Sequence, residues 1–199
     1  MTNKKQTKIG SAQWMVGVAT MTAIVVVLQL IGKYIRFGTF SISVVLIPIV
    51  IGAVLYGAAA GAWLGFSFGM AVLLSGDAAP FFAISPVGTI ATVIFKGILA
   101  GLVAGLVYSL ICKKNEIVAT VVAAVVCPIV NTGVFLIGCR LFFMEAIRQW
   151  AADSGANVMT FILTAFIGLN FVIELGVNII FSPVILRIIN VGKKSLKRS

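Results

Sequence analysis

Long apolar runs dominate this chain, and short polar or basic segments separate them. The first run extends from Ala12 to Ile35, which at about 1.5 Å per residue is long enough to cross a bilayer as a helix. No small-residue cleavage site ends this run. We therefore interpret it as a membrane helix and not as a signal peptide.

The uncharged stretch from Phe37 to Gly76 is too long for one membrane span. As a single helix it would measure about 60 Å, twice the hydrocarbon thickness of about 30 Å. It must therefore turn once, and we place the turn at Tyr56 to Gly61, where glycines permit a tight reversal. This predicts two short helices, near Ser43 to Leu55 and Ala59 to Ser75.

Three further apolar runs complete the predicted membrane domain. They cover Val87 to Cys112, Ile117 to Gly138 and Val158 to Asn190, and the second can continue as an interfacial helix to Trp150. The sequence therefore predicts an all-α membrane protein with six transmembrane helices. Residues 12–190 form this domain, between basic tails at residues 1–11 and 191–199.

Charged residues indicate how the helices are oriented. The net charge is +10, although only 10% of the residues are charged and 61% are hydrophobic. The basic residues cluster at the ends of apolar runs, which favours the cytoplasmic side of a membrane over a nucleic-acid-binding surface. These clusters contain Lys4, Lys5, Lys8, Lys113, Lys114, Lys193, Lys194, Lys197 and Arg198. Six spans place all of them on one side, so we predict cytoplasmic termini in a bacterial-type plasma membrane.

The predicted outer loops are Arg36 to Ile42, Gly76 to Pro86 and Phe143 to Asn157. The middle loop is rich in aromatic residues for a solvated connection. Phe81 and Phe82 can fold back as a lid or anchor the loop at the membrane interface. The sequence does not distinguish these two roles.

Five polar residues from four predicted helices fall at a similar depth, about 18–24 Å from the cytoplasmic end when residues are counted along each helix. They are Gln29, Lys96, Asn131, Asn170 and Glu174. Charges inside a membrane are costly, so these groups face inward, where they bind a ligand or lock the bundle through a Lys96–Glu174 ion pair. Asn178 lies deeper, at about 12 Å, and we predict that it bonds the backbone carbonyl that Pro183 leaves free.

Small residues recur at four-residue spacing in three predicted helices. Gly17, Ala19 and Ala23 are interpreted as one sector of the first helix, and the Ala19-x-x-x-Ala23 spacing allows another helix to approach closely. The runs Gly61-x-x-x-Gly65-x-x-x-Gly69 and Gly97-x-x-x-Gly101-x-x-x-Gly105 are interpreted as packing surfaces within the bundle.

The side-chain inventory argues against a metal site, a cofactor or a catalytic centre. The chain has three cysteines, far apart in sequence, and no histidine, so neither a metal site nor a disulfide framework is indicated. No nucleophile has an evident base, which argues against an intramembrane hydrolase or transferase. A self-sufficient secondary transporter or a structural membrane protein remains the alternative, although Glu174 is the single acidic residue within the predicted spans and no inverted repeat is evident.

In order and spacing, several short motifs resemble the substrate-binding S component of an energy-coupling factor (ECF) vitamin transporter of the riboflavin and pantothenate type. The motifs are Ala19-x-x-x-Ala23, Ile47-Pro48-Ile49-Val50-Ile51-Gly52-Ala53-Val54-Leu55-Tyr56-Gly57, Gly61-Ala62-Trp63-Leu64-Gly65, Pro128-Ile129-Val130-Asn131-Thr132 and Asn170-x-x-x-Glu174-Leu175. The resemblance covers nearly the whole chain. It implies a subunit that binds one water-soluble vitamin near the outer face, for uptake driven by two partner ATPases.

The resemblance also implies roles for particular residues. Ala19 and Ala23 would dock the transmembrane coupling subunit (the T component), while Asn131, Asn170 and Glu174 would bind the substrate. Lys96 and Gln29 join the candidate substrate-binding residues from the depth estimate alone. We favour pantothenate, because an ammonium group and amide donors suit a carboxylate. Riboflavin or another vitamin is the alternative. Riboflavin is disfavoured because residues 61–76 lack the acidic residue and the Lys-Asn pair that the resemblance implies for riboflavin-binding members.

Overall fold

The computed structural model describes residues 11–32, 36–37, 40–41 and 44–198, and nearly all of them are helical. The helices are α1 (Ser11–Gly32), α2 (Leu46–Tyr56), α3 (Ala58–Ser75), α4 (Ala79–Phe82), α5 (Pro86–Ile111), α6 (Glu116–Gly138), α7 (Met144–Asp153), α8 (Val158–Phe161) and α9 (Gly168–Arg198). Two strands, β1 (Arg36–Phe37) and β2 (Phe40–Ser41), pair antiparallel between α1 and α2. Some predicted parts lie outside the described residues. They are residues 33–35 at the end of the first predicted span, residue 43 at the start of the second, and residues 1–10 and 199 of the tails.

Five stretches of the described chain are helices long and apolar enough to cross a membrane, and they agree with five of the six predicted spans. The sixth, α2, has 11 residues and is therefore about 16 Å long. Every residue of α2 from Leu46 to Val54 is buried, so this short helix forms the centre of the bundle. Its apolar sequence reflects contact with other helices rather than with lipid.

The reversal between α2 and α3 is tighter than the sequence predicts. Gly57 alone separates the two helices, with a φ of 96° that a residue with a side chain rarely adopts. Its N–H donates to the carbonyl of Ala53, and its own carbonyl accepts from the N–H of Gly61. Gly61, which we predicted to be part of the turn, therefore lies inside α3.

Glycines bring α3 and α5 into backbone contact. A Cβ atom at Gly65 would overlap the carbonyl of Gly97, and one at Gly101 would overlap the carbonyl of Gly61. Helices associate within a membrane chiefly through such close packing, because lipid is as apolar as the helix surface. The structure confirms that the two glycine runs serve packing within the bundle.

Polar caps start the helices that carry most of the candidate site. Ser85 caps α5 by accepting a hydrogen bond from the N–H of Gly88, and Pro86 occupies the first turn. Asn115 caps α6 by accepting from the N–H groups of Ile117 and Val118. These caps satisfy backbone donors that the first helical turn leaves free.

The fifth and sixth predicted spans are longer than the sequence indicates, and each contains a π-helical segment. Cys139–Phe143 joins α6 to α7, so the helix continues to Asp153, three residues past the predicted limit at Trp150. Ile162–Ile167 joins α8 to α9, which extends to Arg198 and makes the described part of the C-terminal tail helical. Single π-helical turns within α-helices are frequent at functional sites.

Candidate functional site

Lys96 places a positive charge at the contact between three helices. Its Nζ atom on α5 lies 5.7 Å from the centroid of the Phe68 ring on α3 and 5.3 Å from that of the Phe135 ring on α6. The negative faces of aromatic rings attract a cation, more strongly where water is excluded. The two rings therefore hold the Lys96 ammonium group between α3, α5 and α6.

Glu174 on α9 lies within electrostatic range of Lys96 on α5 and of Cys127 on α6. Its side chain is 5% exposed. A buried charge is tolerated where an opposite charge lies near it. Both residues therefore lie in one part of the bundle, and their predicted role as a substrate site stays a proposal.

Asn131 lies on the face of α6 that connects these two groups. Cys127, Asn131 and Phe135 are spaced four residues apart and share this face. Glu174 acts on the first of them and Lys96 lies over the last, so Asn131 occupies the turn between. The Asn131 side chain is 6% exposed, and its Oδ1 atom has no hydrogen-bond partner in the described structure. An unpaired buried acceptor costs about 1–3 kcal/mol, which a ligand donor would recover.

The predictions for two asparagines of α9, Asn170 and Asn178, stand differently against the structure. Asn170 lies in α9, one turn before Glu174, but its side chain is outside the described residues. Asn178 is fully buried, and its Nδ2 group donates to the backbone carbonyl of Glu174 at 2.8 Å. A structural role for Asn178 is therefore confirmed. The acceptor is the carbonyl of Glu174, and not the one that Pro183 leaves free.

Gln29 bonds the protein itself. Its Nε2 group donates to the Oδ2 atom of Asp77 at 2.8 Å, and the Ser75 hydroxyl donates to the same oxygen at 3.0 Å. This junction ties α1 to the loop that follows α3. Gln29 is buried as the depth estimate predicts, but the hydrogen bond directs its amide to Asp77. Asp77 gave no signal in the sequence, because it lies in a predicted outer loop and not in a span where depth can be counted.

An aromatic cluster covers the side of the site next to Phe135. Phe81 of α4 is central to it, with ring centroids of four other residues within 5.0–5.8 Å. These four residues are Phe135, Phe143, Trp150 and Phe166. Phe82, by contrast, is 43% exposed. The sequence left two roles open for Phe81 and Phe82, folding back as a lid or anchoring at the membrane interface. In the structure Phe81 folds back and packs over Phe135, whereas Phe82 faces outward.

Both π-helical segments contribute to this cluster. Phe143 belongs to the first segment and Phe166 to the second, and each packs against Phe81. A π-helical turn re-aims the side chains that follow it relative to a regular α-helix. The segments thus bring one ring from each of two helices against Phe81, which packs on Phe135 under Lys96.

Comparison with protein families decides what kind of protein carries this site. Residues 14–186 match the sequence model of the family described as ECF transporter, substrate-specific component. The chain belongs to this family. Comparison with curated proteins found no significant match. S components are membrane subunits that bind substrate and work with a T component and ATPases, and the family is not one of enzymes.

The first helix of this S component presents small residues on its outer surface. Ala19 and Ala23 are exposed, whereas Gly17 faces the bundle, where a Cβ atom would overlap the ring of Tyr56. The prediction that Gly17 shares a sector with the two alanines is therefore wrong. The difference follows from helix geometry, because positions 17 and 19 lie about 200° apart at 3.6 residues per turn.

Proposed function

We propose that this S component captures pantothenate at a site formed by Lys96, Asn131 and Glu174, for ATP-driven uptake through its partner subunits. The observation that carries the proposal is the ammonium group of Lys96 between the rings of Phe68 and Phe135, together with a buried Asn131 whose Oδ1 atom has no hydrogen-bond partner among the described residues. Pantothenate has one carboxylate for the ammonium group. It also has an amide N–H and two hydroxyl groups, which suit the Asn131 and Glu174 acceptors. Asn170, one turn from Glu174, joins the proposed site on family resemblance.

The proposed orientation places six spans across the plasma membrane, with both termini in the cytoplasm. Lys113 and Lys114 are exposed between α5 and α6 and support a cytoplasmic position for that connection. The aromatic cover around Phe81 then lies on the outer side. A vitamin would therefore reach Lys96 from outside the cell once this cover moves.

Gln29 has a supporting role in this proposal. Because its amide bonds Asp77, it holds the loop that carries Phe81 close to α1. We therefore assign Gln29 to positioning of the cover and not to direct contact with the vitamin.

Riboflavin is the second candidate, and the aromatic cluster favours it. The rings of this cluster meet mainly edge to face, as Phe81 and Phe135 do at an interplanar angle of 89°. A planar heterocycle can replace such contacts by stacking between two rings. An isoalloxazine ring has no negative charge to match the Lys96 ammonium group, whereas pantothenate has a carboxylate, so pantothenate remains the preferred substrate.

A thermal-shift screen of the purified protein against water-soluble vitamins tests the proposal. Pantothenate at a thousandfold excess over its Kd should stabilise the folded protein by about 4 kcal/mol, which raises the midpoint of unfolding by about 8–16 °C. Thiamine and biotin serve as controls, since neither combines a carboxylate with two hydroxyl groups. A shift with riboflavin alone would favour the second candidate, and no shift with any vitamin would contradict both.

The exposed alanines of α1 lead to a separate prediction about transport. Replacing Ala19 and Ala23 together with tryptophan should leave pantothenate affinity within about twofold, because neither side chain contacts the proposed site, and should abolish uptake by blocking close approach of the T component. Affinity is measured on the purified subunit and uptake in cells that express the complete transporter. Leu74→Trp places the same ring on an exposed position of α3 and is the control. Normal uptake by the double variant would exclude this docking surface.

A further inference from the structure

Thr92 differs from every other buried serine and threonine in the described part of the chain. The hydroxyl of each of the other five lies within hydrogen-bond distance of a backbone carbonyl three or four residues earlier. They are Ser67, Ser75, Thr89, Thr120 and Ser182. Thr92 is 5% exposed, and its Oγ1 atom has no hydrogen-bond partner among the described residues. Within a helix the local carbonyl is the usual partner of a threonine hydroxyl, so this exception needs an explanation.

The position of Thr92 places it beside Lys96. The two residues lie four apart on α5 and therefore share one face, with Cβ atoms about 6 Å apart. Their contacts on α6 are also adjacent. A Cβ atom at Gly138 would overlap the Thr92 side chain, and Phe135, one turn away, lies beneath the Lys96 ammonium group. Thr92 and Lys96 are thus successive side chains at the α5–α6 contact.

Asn131 lies on the opposite side of Lys96 along this contact. It precedes Phe135 by four residues, which corresponds to about 6 Å along α6. Thr92 and Asn131 therefore flank Lys96, and both carry a buried polar atom without a partner. A hydroxyl can donate to a carboxylate, whereas the amide oxygen of Asn131 can only accept. The two groups consequently suit opposite ends of one ligand.

We infer that Thr92 is a specificity-determining residue that donates to the substrate carboxylate held by Lys96, while Asn131 accepts from a hydroxyl or amide donor deeper in the bundle. This inference rests on the proposed function and adds the direction in which the substrate lies. The acid end faces the Phe81 cover, and the hydroxyl-bearing end faces Asn131. Selectivity for a carboxylic acid over the corresponding alcohol then depends on Thr92 as well as on Lys96.

A matched pair of ligands tests this assignment. Pantothenol differs from pantothenate by a hydroxymethyl group in place of the carboxylate. Calorimetric titration of the purified wild-type protein should show tighter binding of pantothenate. Thr92→Val removes the hydroxyl and keeps the shape that packs on Gly138, so it should weaken pantothenate binding about tenfold and leave pantothenol nearly unchanged. The ratio of the two affinities is the readout that a packing defect would not change.

Three further variants make the result decisive. Thr92→Ser retains the hydroxyl and should keep the wild-type affinity ratio. Thr92→Ala removes the hydroxyl without adding bulk at Gly138, and it replaces Thr92→Val if that variant does not fold. Thr120→Val removes a buried hydroxyl that bonds the carbonyl of Glu116, and it should alter neither affinity.

The outcomes that overturn the inference are distinct from failure of the proposed function. Binding of neither compound to the wild type would overturn the proposed substrate and the inference together. Equal wild-type affinities for the two compounds would overturn the inference and the pairing of the carboxylate with Lys96, but not the capture of pantothenate. An unchanged affinity ratio in both hydroxyl-free variants, including an equal loss for both ligands, would overturn the inference alone.

Discussion

Lys96→Met should weaken pantothenate binding by about thirtyfold to several thousandfold while the S component remains folded. Removing one partner of a buried charge-assisted contact typically costs 2–5 kcal/mol, because the other charge is left unpaired. At about 1.4 kcal/mol for each tenfold change, this corresponds to a loss of about thirtyfold to several thousandfold. Methionine has a similar length, and its sulfur makes favourable contacts with aromatic rings, so the contacts with Phe68 and Phe135 are largely retained.

The Lys96 experiment requires binding and folding to be measured on the same sample. Titration calorimetry gives the affinity, and size-exclusion chromatography with a thermal melt shows that the protein is folded. Lys113→Met removes a lysine that is exposed between α5 and α6, and its affinity should stay at the wild-type value.

Glu174 is the main complication in this experiment, since the substitution removes a neighbouring positive charge from it. The double variant Lys96→Met/Glu174→Gln removes both charges and should therefore fold at least as well as the single variant. If neither variant folds, the pair is a structural lock. Wild-type affinity in a folded Lys96→Met protein would instead show that Lys96 does not bind the substrate.

Gly65→Ala should lower the midpoint of thermal unfolding by about 5–10 °C. The new Cβ atom would overlap the carbonyl group of Gly97, and a backbone atom cannot rotate away as a side chain can. Helices α3 and α5 must then separate, at a cost of about 1–3 kcal/mol or more for an overpacked contact. Because α3 carries Phe68 and α5 carries Lys96, the separation should also weaken pantothenate binding.

Gly133→Ala is the matched control for Gly65→Ala. A Cβ atom at Gly133 in α6 would meet no described atom within 4 Å, and alanine is about 1 kcal/mol more favourable than glycine inside a helix. Its melting temperature should therefore equal or slightly exceed that of the wild type. Equal stability of Gly65→Ala and Gly133→Ala in detergent and in lipid would show that close contact between α3 and α5 is not needed for folding.

The helices were more predictable from the sequence than the contacts between them. Five predicted spans match helices of the structure, because the length of an apolar run compared with membrane thickness is a property of the run itself. The predicted turn, Tyr56 to Gly61, contains the observed reversal at Gly57 but is too long. Either glycine of the segment permits a turn, so the sequence did not show which one is used. The continuation past Gly138 was expected as far as Trp150, and the structure adds three residues to it and the π-helical segment Cys139–Phe143 within it.

The candidate site shows the same division. Lys96 and Glu174 were found by depth, because residues at one level on different helices can meet. Their aromatic neighbours were missed, although counting the same way places Phe135 one turn from Asn131. Phe81 had two equally good roles in the sequence, and only its contact with Phe135 distinguishes them. Thr92 gave no sequence signal, since most buried threonines bond their own helix.

The sequence by itself determined that this is a helical membrane protein and which polar groups had to be buried within it. Both conclusions follow from the cost of placing polar groups in hydrocarbon, which depends on residue type and position in a span. Only the tertiary structure decided which buried groups meet. Gln29 bonds Asp77, Lys96 lies over Phe135 and Thr92 is left unpaired, because glycine contacts and π-helical turns set the distances and rotations between helices.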